Sequence, residues 1–404
     1  FIFIYSLVLC IDLEIDQHFG TINHESTIYE NPFLGGFNKP KVQWVDWNND
    51  NKSDLFLLDE DGHIKYYLNN TNSDDMYKMD LVSTNFLEIH NILWFYIHDF
   101  DSDNQYEIIT SDPISNQYMR YYDIVDDELI DKGNIINNDS NLIFIDPVMV
   151  PSFGDIDADG DLDLFYGNVV GTINFYENLY FDDDRPLFKT ADTYWQEIYI
   201  VGSSLNQRHG ASAINFIDLD NDNDLDLSWG DYFQQSLYII WNEGDIFNPQ
   251  MNSESYLTQF PIEDPVFTAG LNMPSFTDIN QDGHMDLFVT TLSGAYGYQL
   301  TNNFMFYEKQ DDIFIKQTSN FIDTIDLLSD VNPTFIDIDN DLDLDLFIGT
   351  DFDPSSFPWI GKIVFYENIG YDNNNHPIWQ KNNNDFLNEN IGNNLYPEFI
   401  DIDS

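Results

Sequence analysis

The 404-residue sequence has very few basic residues and a single cysteine, Cys10. One cysteine excludes an intrachain disulfide, so packing or bound metal must hold the fold together. Only 14 Lys and Arg oppose 72 Asp and Glu, which gives a formal net charge of −58. Such a chain lacks the cationic clusters that bind nucleic acid, and an anionic membrane surface would repel it. Metal cations or a saline exterior are the expected sources of charge compensation.

Long hydrophobic runs and helical periodicity are also missing. The first ten residues are apolar but too few to span a bilayer, and no transmembrane helix is expected elsewhere. Residues 1–12 look like the remnant of a secretory signal peptide. A buried first strand and lipidation of Cys10 are the alternatives, although Leu9 is a poor residue before a lipidated cysteine. We expect residues 13–404 to form a single domain with little helix.

One motif recurs along the chain at intervals of 53 to 64 residues. Each copy is an Asp-rich loop followed by short runs of β-branched and aromatic residues that end at Gly, Asn, Asp or Pro, a pattern typical of strands. The copies begin at Asp46, Asp99, Asp155, Asp218, Asp278, Asp337 and Asp401. A lone sheet of about four short strands leaves apolar faces uncovered, so we expect all-β repeats packed radially as the blades of a β-propeller. A linear β-solenoid is the alternative, but its rungs are usually shorter.

Oxygen-bearing side chains occupy positions 1, 3, 5 and 9 of the six complete loops, which we number in chain order. Of these 24 positions, 22 are acidic and two are Asn. Positions 1, 3, 5, 7 and 9 are Asp46, Asn48, Asp50, Lys52 and Asp54 in loop 1; Asp99, Asp101, Asp103, Gln105 and Glu107 in loop 2; Asp155, Asp157, Asp159, Asp161 and Asp163 in loop 3; Asp218, Asp220, Asp222, Asp224 and Asp226 in loop 4; Asp278, Asn280, Asp282, His284 and Asp286 in loop 5; Asp337, Asp339, Asp341, Asp343 and Asp345 in loop 6. The incomplete seventh copy has only Asp401 and Asp403.

This spacing predicts a calcium site in each complete loop. Alternation turns side chains 1, 3 and 5 toward a common point, position 9 closes the shell, and position 7 adds a backbone carbonyl, which explains why Lys52, Gln105 and His284 are tolerated there. About six or seven oxygen ligands suit Ca²⁺, whereas zinc prefers His and Cys and magnesium keeps more water. Simple acidic turns are the alternative, but two carboxylates about 4 Å apart repel by roughly 1 kcal/mol in water and about 4 kcal/mol at an intermediate dielectric. We expect about one Ca²⁺ per complete repeat.

The third copy, Phe153–Gly167, and the following Phe-Tyr-Glu-Asn at residues 175–178 resemble the FG-GAP/VCBS repeat family of integrin-α-like propellers. The resemblance implies a seven-bladed propeller, here six complete repeats and a truncated seventh, with calcium in the loop between the first two strands of each blade. It departs from an EF-hand loop, which needs a bidentate Glu where loop 3 has Tyr166. Position 6 is usually Gly in the family, and Leu342 departs from that pattern, as does Glu107 at position 9. Residues 28–33 resemble the end of a repeat and are expected to supply an outer strand to the last blade.

The resemblance implies a secreted or cell-surface binding or adhesion module for glycans or proteins, monomeric within a larger chain. Three tryptophans outside the motif strands, Trp195, Trp359 and Trp379, are candidate sugar-stacking platforms, or they fill space between blades. A propeller-based polysaccharide lyase or hydrolase is the main alternative, but no residue stands out as a nucleophile or an acid/base pair, so we expect no enzymatic activity. A passive structural segment of a larger surface protein is the third interpretation.

Overall fold

The computed structural model describes residues 19–24, 27–29, 31–71, 77–182, 185–200, 212–252, 254–328, 330–352, 357–383 and 385–402. These residues form 26 β-strands and the loops between them, with two 3-10 turns at Phe86–Glu88 and Trp195–Glu197. The predicted all-β class is therefore confirmed. No helix in the described residues is long and apolar enough to cross a membrane. The expected signal remnant at residues 1–12, Cys10 and Asp403 lie outside the described residues.

The strands pair into small antiparallel sheets in which neighbours in sequence are mostly neighbours in space. Sheet 1 contains β3 (Lys41–Val45), β4 (Asp54–Leu58), β5 (Ile64–Asn69) and β6 (Met79–Ser83). Sheet 2 contains β7 (Phe95–His98), β8 (Glu107–Ser111), β9 (Met119–Val125) and β10 (Glu128–Asn134). Sheet 3 contains β11 (Ser152–Gly154), β12 (Asp163–Gly167) and β13 (Ile173–Tyr176), followed by a hairpin of β14 (Asn178–Asp182) and β15 (Arg185–Phe188).

The remaining three sheets repeat this plan. Sheet 4 contains β16 (Ser212–Ile217), β17 (Asp226–Asp231) and β18 (Tyr238–Ile240). Sheet 5 contains β19 (Asn272–Thr277), β20 (Asp286–Thr291), β21 (Met305–Gln310) and β22 (Ile313–Thr318). Sheet 6 contains β23 (Asn332–Ile336), β24 (Asp345–Gly349), β25 (Ile363–Tyr371) and β26 (Pro377–Asn383), extended by β1 (Thr21–His24) and β2 (Thr27–Tyr29). In every sheet the Asp-rich loop joins the first strand of the repeat to the second.

The second strand of each repeat is buried along its whole length. These strands begin with the position-9 acid and continue with apolar residues, as in the Asp-Leu-Phe-Val-Thr-Thr of β20. Continuous burial means that neighbouring elements cover both faces of the strand, which an isolated sheet could not achieve. The end of each loop is thereby held in the interior.

Contacts between consecutive sheets place sheets 1 to 5 side by side in chain order. Gln43 of β3 exchanges side-chain hydrogen bonds with the backbone of Ile97 in β7, at 2.7 and 2.8 Å, and so links sheets 1 and 2. Tyr96 of sheet 2 contacts Phe153 of sheet 3, with ring centroids 4.6 Å apart. Strand β16 contacts β11 on one side and β19 on the other, which places sheet 4 between sheets 3 and 5.

Sheet 5 packs directly against sheet 1. The Trp44 ring of β3 lies 4.5 Å from the Phe288 ring of β20, and Trp44 Nε1 donates to Ser275 Oγ at 3.3 Å. Phe304 and Phe321 complete an aromatic cluster around Trp44. This contact differs from the expected seven-membered order, in which other repeats would separate the first repeat from the fifth. The physical reason is that Trp44 covers the apolar face that sheet 5 would otherwise expose.

The N-terminal strands join sheet 6 and not a seventh blade. Strand β1 pairs in parallel with β26, and β2 pairs with β1. Of the expected outer strand at residues 28–33, only residues 28 and 29 are in a strand, and β1 is the strand that pairs with sheet 6. Phe19 and Phe33 pack at 5.8 and 5.6 Å against Trp379 of β26 and hold this segment in place. The start of the seventh copy lies on the other side of sheet 6, where Phe399 packs 4.6 Å from Phe347.

Candidate metal-binding loops

All six complete loops share one hydrogen-bond pattern. The position-1 aspartate accepts the backbone N–H of position 5 through Oδ1, at 2.9–3.2 Å. It accepts the N–H of position 6 through Oδ2, at 2.9–3.1 Å. The position-5 aspartate accepts the N–H of position 7 through Oδ1, at 2.8–3.2 Å. The loops therefore keep the register that the sequence alignment assigned to them, although their sequences differ at positions 4, 6 and 7.

The backbone adopts the left-handed conformation at two positions of each loop. Position 6 has φ between 67° and 97°, and Leu342 takes this conformation at 81° despite its branched side chain. Position 4 is also left-handed, with φ of 54–65°, which the sequence analysis did not anticipate. The residues there are Asn49, Ser102, Ala158, Asn221, Gln281 and Asn340. Three of the six are Asn, a residue enriched at positive φ, which was the available signal.

Four loops gather carboxylates closely enough to share a cation. In each, one oxygen per residue lies within 4.8 Å of the others. The groups are Asp99, Asp101, Asp103 and Glu107 in loop 2; Asp155, Asp157 and Asp159 in loop 3; Asp218, Asp220 and Asp226 in loop 4; Asp337, Asp339 and Asp341 in loop 6. The longer Glu107 thus still reaches the group from position 9.

Loops 1 and 5 carry Asn at position 3. The Oδ1 atoms of Asn48 and Asn280 each accept the N–H of position 5 at 3.0 Å, as Asp101 Oδ1 does at 3.2 Å in loop 2. The amide oxygen therefore takes the place of a carboxylate oxygen. The amide nitrogens of Asn48 and Asn280 donate to Asp50 and Asp282 at 3.2 and 3.0 Å.

The position-9 acids are buried at the inner end of each loop. Burial raises the pKa of Glu107 and Asp163 to about 8, and that of Asp226 and Asp286 to about 7. Asp163 is 2% exposed, and its Oδ2 atom has no hydrogen-bond partner. A bound cation would offset the cost of burying such a charge, because a carboxylate is strongly disfavoured away from water unless it is paired.

In five loops the position-9 acid is hydrogen-bonded to backbone in or just beyond the third strand of the repeat. A backbone N–H there donates to Oδ1 of the acid at 2.7–2.9 Å. The donors belong to Asn69, Asn178, Asn242, Lys309 and Asn368. The Asn that recurs after the aromatic strand residues therefore has a structural role that its sequence pattern did not reveal.

Position 7 differs among the loops. Lys52 Nζ donates to Thr71 O at 2.8 Å, and Gln105 Nε2 donates to Asp103 Oδ2 at 3.0 Å. In loops 3, 4 and 6 the residue is an aspartate whose Oδ1 atom is buried without a hydrogen-bond partner, namely Asp161, Asp224 and Asp343. Burial, followed by the neighbouring carboxylates of the loop, raises the pKa of each of these three to about 6.

Neighbouring loops and sheets contact one another. Tyr106 Oη of loop 2 donates to Asp46 O of loop 1 at 3.0 Å, and Gln281 Nε2 of loop 5 donates to Asn51 O of loop 1 at 2.6 Å. The buried Lys309 Nζ of sheet 5 donates to Leu219 O of loop 4 at 3.1 Å. Loops 4, 5, 1 and 2 are therefore linked in that order. Asp401 of the seventh copy is exposed and belongs to no comparable loop in the described residues.

The three candidate tryptophans lie in different environments. Trp195 and Trp379 are 5% and 2% exposed and fill apolar clusters, which excludes them as open sugar platforms. Trp359 is 57% exposed and stacks on Phe352 at 5.3 Å. Its neighbours Phe357, Pro358 and Ile360 form one wall of a cleft of about 660 Å³ between sheet 6 and the loops beside it.

No known family matches the sequence, and no curated protein matches it. Among solved structures, the chain is similar to AofleA from Arthrobotrys oligospora, at a TM-score of 0.39 and 9% identity over 85% of each chain. It is also similar to a thermostable family-43 glycoside hydrolase, at a TM-score of 0.37 and 11% identity over 70% of this chain and 94% of that one. A third similarity is to BBS1N in complex with ARL6DN, at a TM-score of 0.30 and 10% identity over 86% of this chain and 84% of that one. Similarities this weak support no conclusion about function or blade number.

Proposed function

We propose that this chain is a calcium-binding repeat protein of the FG-GAP/VCBS type that serves as a secreted or cell-surface binding module. The observation that carries the proposal is the single hydrogen-bond pattern shared by six acidic loops. Carboxylate oxygens lie close together in loops 2, 3, 4 and 6, and several buried carboxylate oxygens lack a hydrogen-bond partner. Hard divalent cations with six to eight oxygen ligands suit such loops, and Ca²⁺ is the common extracellular one.

We also propose that the sheets are blades of a β-propeller. The order of contacts from sheet 1 to sheet 5 and back to sheet 1 supports a ring of five, with sheet 6 beside it. Radial packing would cover both faces of each second strand, in agreement with the complete burial of those strands. In this arrangement the calcium loops tie each first strand to its second.

A melting experiment tests the calcium proposal. We expect millimolar Ca²⁺ to raise the melting temperature of the chelator-treated protein, since a ligand that binds only the folded state adds about 2.7 kcal/mol at 100 times its dissociation constant. Mg²⁺ at the same concentration is the matched control and should raise it less, because these loops hold more carboxylates than magnesium usually accepts. An unchanged melting temperature with Ca²⁺ would rule the proposal out.

We propose glycans as the ligand class and the cleft beside Trp359 as the place where they bind. Exposed Trp359, stacked on half-buried Phe352, offers a stacking surface. The carboxylates of Asp385 and Glu389 in the cleft offer hydrogen-bond acceptors for sugar hydroxyls. A glycan array with the calcium-loaded protein should give signals that Trp359→Ala abolishes and Tyr180→Ala, an exposed aromatic change on β14, leaves intact. Signals that survive Trp359→Ala would place the ligand elsewhere.

We further propose that the chain is not an enzyme, since its repeated carboxylates are accounted for by metal loops. A polysaccharide panel tests this in the same preparation. Release of reducing ends, or of unsaturated products that absorb in the ultraviolet, would favour a hydrolase or a lyase instead.

A further inference from the structure

The side chain at position 7 divides the six loops into two groups. In loops 3, 4 and 6 it is an aspartate whose Oδ1 is buried and receives no hydrogen bond, as described for Asp161, Asp224 and Asp343. Leaving a buried acceptor unpaired costs about 1–3 kcal/mol, and more for a charged group. The same atom is unpaired in three separate loops, which indicates a partner common to all three.

The position-7 aspartates interact electrostatically with the other acids of their own loop. Asp224 is only 3% exposed, and its charge interacts with the carboxylates of Asp222, Asp220 and Asp218. Asp161 and Asp343 interact in the same way with the acids of loops 3 and 6. None of these interactions involves a basic side chain. The partner of the unpaired oxygen is therefore expected to be a cation from solution.

Loops 1, 2 and 5 have no aspartate at position 7. Lys52 adds a positive charge to loop 1, and the Gln105 amide already occupies the Asp103 carboxylate in loop 2. His284 occupies the position in loop 5. Counted over positions 1, 3, 5, 7 and 9, loops 3, 4 and 6 carry five carboxylates each, loop 2 carries four, and loops 1 and 5 carry three.

We infer that the position-7 side chain is itself a Ca²⁺ ligand in loops 3, 4 and 6, so that these three loops bind calcium more tightly than loops 1, 2 and 5. This inference rests on the proposed function of the loops. The affinity of calcium loops is set by the number of charged ligands and the rigidity of the site. The protein would thus fill three sites at low calcium and the other three only at higher calcium.

The first test is a calcium titration of the whole chain against a competing chelator. We expect two classes of about three sites each. The triple variant Asp161→Asn, Asp224→Asn and Asp343→Asn should weaken the tight class by about tenfold or more, because each loop loses one charged ligand. The matched control, Asp126→Asn, Asp127→Asn and Asp311→Asn, removes three charges from exposed turns and should leave both classes unchanged. One uniform class of sites, or equal effects of the two triple variants, would overturn the inference.

The second test adds the missing ligand. Gln105→Asp gives loop 2 the acid that loops 3, 4 and 6 have, and it removes the amide that occupies Asp103. We expect a fourth tight site, whereas Gln105→Asn at the same position should add none. A tight class that stays at three sites in Gln105→Asp would contradict the ligand role of the side chain.

A terbium titration assigns the weak class to a loop. Trp47 is residue 2 of loop 1 and stacks on Tyr106 at 5.4 Å, so it is placed to sensitise Tb³⁺ bound there. We expect Trp47→Phe to remove luminescence that appears late in the titration and to spare the early part. Loss of the early part would overturn the assignment. Absence of any Ca²⁺ or Tb³⁺ binding by the wild-type chain would instead refute the proposed function itself.

Discussion

Position 6 of each loop shows how strongly the loop geometry constrains a single residue. Five of the six loops place Gly or Asn at this left-handed position, and loop 6 places Leu342 there. The Leu342 side chain is 90% exposed, so it gains almost no burial in return for its backbone strain. A left-handed residue with a Cβ costs roughly 1–2 kcal/mol, which glycine avoids.

Replacing Leu342 by glycine should therefore stabilise the protein. We expect Leu342→Gly to raise the free energy of unfolding by about 1 kcal/mol, because the strain relieved exceeds the extra entropy of glycine in the unfolded chain. Denaturant unfolding at saturating calcium measures the change. In loop 3, Gly160 has φ 97° and open space around the position of a Cβ. The reverse change Gly160→Leu should therefore lower the free energy of unfolding by a similar amount. A stability loss in Leu342→Gly would show that the Leu side chain packs in a way its exposure does not suggest.

Asp326 is a buried acid outside the loops, on the connection between β22 of sheet 5 and β23 of sheet 6. Its Oδ2 accepts the N–H of Asn302 at 2.6 Å, while its Oδ1 is buried without a hydrogen-bond partner. Burial raises the pKa of Asp326 to about 7. The folded chain therefore holds this proton more tightly than the unfolded chain, whose aspartates titrate near pH 4.

The sign of the pH dependence follows from this difference. Stability from Asp326 is greatest below about pH 4 and is lost as the pH rises toward 7, since the folded state must then bury a charge. We expect Asp326→Asn to be more stable than wild type by roughly 1–3 kcal/mol at pH 8 and to show a smaller difference at pH 5. Unfolding curves from pH 5 to 8 at constant calcium measure it. Asp312→Asn, in an exposed turn, should give no such trend, and a constant difference across the range would contradict the prediction.

At the scale of strands and loops, Lys309 links two repeats. It stands on β21 where four of the other repeats have Asn, and it is only 3% exposed. Its backbone braces Asp286 of loop 5, while its Nζ reaches Leu219 O of loop 4. Its Nζ also lies over the Phe314 ring, 5.6 Å from the ring centroid. One residue thereby couples two candidate calcium loops, through its backbone to loop 5 and through its side chain to loop 4.

Replacing Lys309 by methionine should remove the hydrogen bond to Leu219 O while an unbranched apolar side chain still fills the buried space. We expect Lys309→Met to lower the free energy of unfolding by about 1–3 kcal/mol, because the Leu219 carbonyl loses its charged donor. Calcium affinity of loop 4 should fall more than that of loop 5, since the backbone contact to Asp286 is unaffected. Lys316→Met, an exposed change on the same hairpin, is the control. Equal stability of the two variants would mean that the Lys309 hydrogen bond contributes nothing net.

At the scale of the whole molecule, the contact between sheets 5 and 1 decides the order of the repeats. Besides Trp44, it contains a hydrogen bond from Thr277 Oγ1 to Ser53 Oγ at 2.6 Å. Because the two hydroxyl oxygens are in hydrogen-bond contact, the Cβ atoms that carry them lie near the separation that a disulfide spans. The chain has a single native cysteine, so an engineered pair can be studied after Cys10→Ser.

We expect Ser53→Cys with Thr277→Cys to form a disulfide under mild oxidation. Peptide mass spectrometry of the oxidised protein identifies the bond, and faster migration on a non-reducing gel reports the closed loop. The two single variants are the controls and should yield only free thiols or dimers. If the repeats instead followed a seven-membered order, these cysteines would lie blades apart and no intrachain bond would form.

Much of the fold and the candidate site was predictable from the sequence. Short runs of β-branched and aromatic residues, bounded by turn residues, predicted an all-β chain. Such a pattern is a local property that each short segment of the sequence carries. The loop register was predictable for the same reason: a carboxylate such as Asp155 bonds to backbone N–H groups only four and five residues away. Left-handed turns at position 6 also follow from local sterics, although those at position 4 were missed because Ala158 and Gln281 give no signal.

Only the tertiary structure decided which sheets touch and which side chains lose water. The contact of sheet 5 with sheet 1 joins residues more than 200 positions apart, such as Trp44 and Ser275, and no local pattern encodes it. The same holds for burial: the three position-7 aspartates look like ordinary members of an acidic run, yet each keeps one oxygen away from water without a donor. The sequence by itself determined the loops and their backbone hydrogen bonds, because those interactions span a few residues. The three-dimensional packing determined which of the loop carboxylates are buried, because burial depends on neighbours that the chain brings together only when it folds.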